Sequence, residues 1–130
     1  MDNEIRIRFD GGKKVTALLG GFEVRTDQPA AAGGDGSAPS PFALFLASIG
    51  ACAGFYALAF CQARGIPTDG VILTQKMEAG EHGKLTKVAI EIALPPGFPD
   101  KYREPLVRAV ESCAVKKAIA HPPMFDVRTV

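Results

Sequence analysis

Ser40-Pro41-Phe42-Ala43-Leu44-Phe45-Leu46-Ala47-Ser48-Ile49-Gly50-Ala51-Cys52-Ala53-Gly54 opens an uncharged run that reaches Arg64. Ser40 offers a capping hydroxyl, and Pro41 suits the first helical position because its missing N–H would be unpaired there anyway. Gly65 and Pro67 supply the matching stop. The pattern predicts one helix over about Pro41 to Arg64. A helix apolar all round must be buried on every side. The stretch is also long enough to cross a bilayer and carries Gly50-x-x-x-Gly54, a packing pattern of membrane helices. Its richness in Ala, Gly and Ser, and its lack of basic flanks and aromatic belts, favour the central helix of a soluble core.

Working outward, strand patterns flank this helix on both sides. Glu4 to Phe9 alternates, with Ile5, Ile7 and Phe9 on one face and Arg6 and Arg8 on the other, the pattern of a half-buried strand. Asp10-Gly11-Gly12 is a turn. Val15 to Leu19 and Phe22 to Thr26 are joined by Gly20-Gly21, a tight hairpin whose two turn positions need positive φ. Gln28 to Pro39 reads as a flexible crossover. Its glycines do not form a phosphate-binding pattern.

Beyond the helix, Val71 to Glu78 and Leu85 to Leu94 form a second hairpin. Asp100 can cap a helix through about Glu111, with Pro105 tolerated only near its start. A short helix is expected from near Cys113 to before Pro122-Pro123. Met124 to Val130 is expected to close the chain as a strand. The order βββ-α-ββ-α(α)-β describes one α+β domain over residues 1–130, with antiparallel sheets around a central helix. A small sheet covers only one side of that helix, so an identical partner is the economical cover for the other.

The 130 residues are 47% hydrophobic and 22% charged, with a formal net charge of +1. Such a chain can bury about two-thirds of its unfolded surface. Scattered Lys and Arg argue against a nucleic-acid partner or a membrane-binding basic patch. The N-terminus lacks the layout of a secretory signal, so a cytoplasmic location with reduced thiols is the expectation.

Three cysteines carry the chemistry. Cys52 and Cys61 lie nine positions apart on one predicted helix. At about 100° per residue they face opposite ways, about 13 Å apart along the axis, too far to bridge. Cys61 reads as a small core hydrophobe. At Cys113, a helix start would offer free N–H groups, and Lys116 and Lys117 add positive charge, which together favour a thiolate there. From the residues alone, a reactive Cys52–Cys113 pair and two packed thiols both remain open. His82 and His121 have no ligand spacing to a cysteine, so no metal and no cofactor is expected.

Residues 39–54, Pro-Ser-Pro-Phe-x-Leu-Phe-Leu-Ala-Ser-Ile-Gly-Ala-Cys-Ala-Gly, resemble the central-helix signature of the OsmC/Ohr family. Residues 111–119, Glu-Ser-Cys-Ala-Val-Lys-Lys-Ala-Ile, resemble its second-cysteine motif. The element order agrees over nearly the whole chain. The resemblance implies an intertwined homodimer with active sites at the subunit interface. It implies a stress-response peroxidase that reduces organic hydroperoxides or hydrogen peroxide, with an external dithiol as reductant. Cys52 then corresponds to the attacking cysteine and Cys113 to the resolving one. Other thiol redox or sulfur-handling chemistry, and a non-catalytic dimer binding an apolar ligand, are the competing readings.

The sequence departs from the peroxidase members in two respects. They carry a Glu on the first turn of the central helix, where this chain has Ser40-Pro41-Phe42-Ala43. They also carry an Arg from the N-terminal strands that stabilises the thiolate. The nearest match here is Lys13, and Arg25 on a later strand is the other candidate. A Lys lacks the planar fork of Arg, so the exchange is not equivalent. Without that pair, a Cys52 in apolar surroundings is expected to favour the neutral thiol unless a cation reaches it.

Overall fold

The computed structural model describes residues 3–130, and its backbone divides into two compact units. The first runs to Ala47 and the second spans Ser48–Val130, so the boundary falls within the long helix.

The first unit is an antiparallel meander in the order β1-β2-β3, with β1 at Arg6–Phe9, β2 at Val15–Leu19 and β3 at Phe22–Thr26. Leu19 pairs with Phe22 across Gly20 and Gly21, whose φ values of 52° and 80° are those the tight turn demands. Strand β1 is not half-buried as its alternation suggested. Ile7 is 57% exposed and Phe9 83%. All four residues of β1 are exposed, so among the described residues nothing covers its apolar side.

The crossover after β3 is tied down rather than loose. Asp27 is fully buried and accepts hydrogen bonds from the Gln28 N–H at 2.7 Å, the Ser37 N–H at 3.0 Å and the Ser37 hydroxyl at 2.6 Å. These donors, the Ser37 hydroxyl foremost, hold its carboxyl at about 2. Gly34 lies so close to Gln28 that an added Cβ would stand 1.9 Å from the Gln28 carbonyl oxygen. Ser40 caps the long helix as expected, its Oγ accepting from the Ala43 N–H at 3.2 Å.

Helix α1 spans Pro41–Ala63. Within the second unit its buried residues Ile49, Ala53, Ala57, Phe60 and Cys61 supply the core side. Strands β4 (Ile72–Ala79) and β5 (Leu85–Ala93) pair antiparallel as a two-stranded sheet. Leu73, Ile90 and Ile92 pack from this sheet against the cluster of Ala53, Ala57, Phe60 and Cys61. Helix α2 (Arg103–Glu111) adds Leu106 and Val110, and Phe98 fills the remaining side. Small residues on α1 permit the close approach. Gly50 faces Gln75 of β4, whose Oε1 would lie 2.5 Å from an added Cβ. Length and composition alone would let α1 cross a membrane; one side of it packs on this core, while Phe55 and Leu58 remain exposed, so it is not buried on every side as its composition suggested.

Helix α3 spans Ala114–Ala120, with Cys113 at its N-cap. The strand expected over Met124 to Val130 is not formed. Residues 122–130 are irregular and exposed, with Phe125 at 86% and Val127 at 95%. A strand needs a neighbour for its backbone hydrogen bonds, and no described strand pairs with this segment.

Candidate active site

The two cysteines singled out by sequence meet inside the second unit. Cys52 sits near the middle of α1 and is partly exposed. Cys113 is fully buried at the start of α3, and both are free thiols. The Cys113 thiol donates a hydrogen bond to the Cys52 sulfur. The backbone N–H groups of Val115 and Ala114 donate to the same sulfur. Together these donors, Cys113 foremost, hold the Cys52 thiol below its ordinary pKa, outweighing the opposing effect of burial.

The local sequence explains the geometry. The first amides of a helix have no carbonyl to bond within it. Cys113 makes no side-chain cap of its own, so the amides that follow it are available to a third party. The turn between α2 and α3 aims them at Cys52. Val110 buries one side of this turn and the Cys113 N–H closes it on the Val110 carbonyl at 3.3 Å. The sequence-based expectation gave these amides to Cys113 itself. The structure gives them to Cys52, which therefore needs no nearby cation to depress its pKa. A helix start next to a second cysteine was the available signal; the pairing across 61 positions was not.

Cys61 lies in the core, fully buried. Desolvation raises its thiol pKa, with Arg64 only partly offsetting the effect. Such a setting disfavours the nucleophilic thiolate.

Lys13 and Arg25 belong to the first unit. Lys13 lies in the turn before β2 with its side chain against Gly33. Arg25 on β3 reaches Glu23 at 3.4 Å, an exposed ion pair. Among the described residues, no group of three or more His, Cys, Asp or Glu is placed to hold a metal ion.

Comparison with known proteins agrees with this arrangement. The OsmC-like protein family matches residues 34–128, which include both cysteines. None of the curated proteins matches the sequence. A Psychrobacter arcticus protein described as an osmotic stress induced and detoxification response protein is 26% identical. Its TM-score is 0.71, over 93% of this chain and 90% of that one. An OsmC-like protein from Mycoplasma pneumoniae has the same TM-score of 0.71 at 14% identity, over 94% of this chain and 89% of its own. An organic hydroperoxide resistance protein OsmC from Legionella pneumophila is 24% identical, with a TM-score of 0.56 over 89% of this chain and 88% of that one. With three-quarters of its length matched, the chain belongs to the OsmC-like protein family.

Proposed function

We propose that this protein is a cysteine peroxidase that reduces organic hydroperoxides or hydrogen peroxide through a Cys52–Cys113 dithiol–disulfide cycle. The observation that carries the reading is the set of three donors on the Cys52 sulfur: the Cys113 thiol and the Ala114 and Val115 amides. The organic hydroperoxide resistance of the Legionella relative supports the substrate class.

The Cys52 thiolate attacks one peroxide oxygen; the O–O bond breaks, and the alkoxide leaves as the alcohol after taking a proton. Cys52 becomes a sulfenic acid. Cys113, already within hydrogen-bond reach, attacks that sulfur and expels water, forming the disulfide. An external dithiol then returns both sulfurs to thiols and is itself oxidised.

The unit of function is a homodimer of one OsmC-like domain per chain, acting in a reducing cytoplasm. Support comes from exposed apolar side chains that a soluble monomer rarely shows in such number. They include Phe55 at 62% on α1, Phe22 at 73% on β3 and Phe9 at 83% on β1. Lys13 or Arg25, from the same chain or the partner, orients the peroxide or further favours the thiolate.

Peroxide consumption sustained by dithiothreitol tests the reading. Wild type turns over, and Cys52→Ser does not. Undiminished consumption by Cys52→Ser would refute it.

A further inference from the structure

We propose that the pocket at the C-terminal end of α1 binds a small apolar monocarboxylate. The pocket holds about 500 Å3 and lies within the second unit, between the turn after α1 and the segment leading into α2. That volume suits a small organic molecule rather than a bare ion. Its walls include Pro67, Pro95, Pro96, Phe98, Pro99 and Tyr102. Proline rings and aromatic faces make a stiff apolar surface that needs little ordering when a ligand arrives.

The polar content of the pocket is two cations, Arg64 and Lys101, and one carboxylate, Asp69. Among the described residues, Arg64 is the one arginine with no carboxylate in ion-pair reach; Arg6, Arg8, Arg25, Arg103, Arg108 and Arg128 all have one. The Arg64 guanidinium is nevertheless fixed. It lies 3.6 Å from the Phe60 ring centroid and 5.6 Å from that of Tyr102. Its Nη1 donates to the Phe60 carbonyl at 3.1 Å. The ring and carbonyl contacts set the plane of the fork without neutralising its charge, and among the described residues its other donors meet no carboxylate. Lys101 brings its Nζ to 5.0 Å from the same Tyr102 ring.

Arg64 and Lys101 therefore meet at one aromatic ring on the wall of a pocket lined by prolines and aromatics, and among the described residues neither has a carboxylate in ion-pair reach. An acceptor-only carboxylate matches the guanidinium fork. Asp69 leaves the pocket with one net positive charge, which favours a singly charged ligand over a phosphate-like dianion. The proline and aromatic walls take up the ligand's apolar body.

Titration of the intact protein with octanoate, followed by amide chemical shifts, tests the proposal, with octanol as the neutral counterpart. The expected result is saturable shifts at residues 64–69 and 95–102, with octanoate bound about tenfold more tightly than octanol. Lys101 is exposed, so Lys101→Gln removes its charge without disturbing the core. Both Lys101→Gln and Arg64→Gln should weaken octanoate about tenfold while leaving octanol unchanged. If Arg64→Gln fails to fold, Lys101→Gln alone decides. Absence of saturable shifts, equal affinity for octanol, or undiminished octanoate binding by Lys101→Gln would each overturn the proposal.

Discussion

The buried thiol of Cys113 donates its hydrogen bond to the sulfur of Cys52, joining the start of α3 to the middle of α1. This contact makes each cysteine's role separately testable. One sulfur receives stabilisation and the other supplies it.

The pH dependence of Cys52 alkylation should change when Cys113 is removed. Folded Cys52 has a depressed pKa, so its thiolate persists to lower pH than that of an ordinary cysteine. Cys113→Ala deletes the first of three donors, and the alkylation profile should move to higher pH. Ala114 and Val115 still donate, so the profile should remain below that of a free thiol. Rates of iodoacetamide capture against pH measure both shifts.

Over-oxidation should separate the two single mutants. Cys52→Ser should lose the first step. Cys113→Ser should react once and then hold Cys52 as sulfenic acid, or carry it on to sulfinic acid, because no resolving thiol remains. Intact-mass measurement after excess peroxide reads the added oxygens.

Cys61 should behave as packing. Cys61→Ala is expected to leave peroxide consumption unchanged and to cost about 1 kcal/mol or somewhat more in stability, from the small cavity it opens. Denaturant unfolding beside the activity assay tests the two halves of this expectation independently.

Asp27 should set part of the acid limb of stability. Its folded pKa of about 2 lies below the ordinary 3.8. Its contribution is therefore complete above about pH 4 and is lost as pH falls through about 2. Asp27→Asn should lower the melting temperature at neutral pH and flatten its decline between those values. Gly34→Ala in the same loop should cost about 1–3 kcal/mol, because its Cβ would overlap the Gln28 backbone rather than a movable side chain.

Much of the fold was legible because its signals are local. Ser40-Pro41 and Gly65 bracket α1, and Gly20-Gly21 sets the first hairpin to the residue. Two of the misses share one physical origin. The alternation of β1 and the apolar residues of 124–130 mark surfaces that want cover, yet one chain does not supply it. Periodicity reports which face is apolar, not what lies against it. Likewise, Cys52 and Cys113 could be picked out by sequence, but the direction of the α3 amides depends on how the α2–α3 turn packs. The buried Asp27 was not foreseen, since a carboxylate in a Gly-rich loop is ordinarily solvated.

The dimer should be visible by sedimentation at micromolar concentration. An interface covering these apolar faces would bury more than about 2,000 Å2, the range of obligate pairs. A monomer there would remove the expected partner of β1 and the C-terminal segment.

The central claim is that Cys52 and Cys113 form one redox couple. Its most direct test is peptide mass mapping after one equivalent of peroxide per chain, with thiols counted before and after. The account predicts a Cys52–Cys113 disulfide, two thiols lost and Cys61 still free. Three thiols remaining, or a disulfide that includes Cys61, would contradict it.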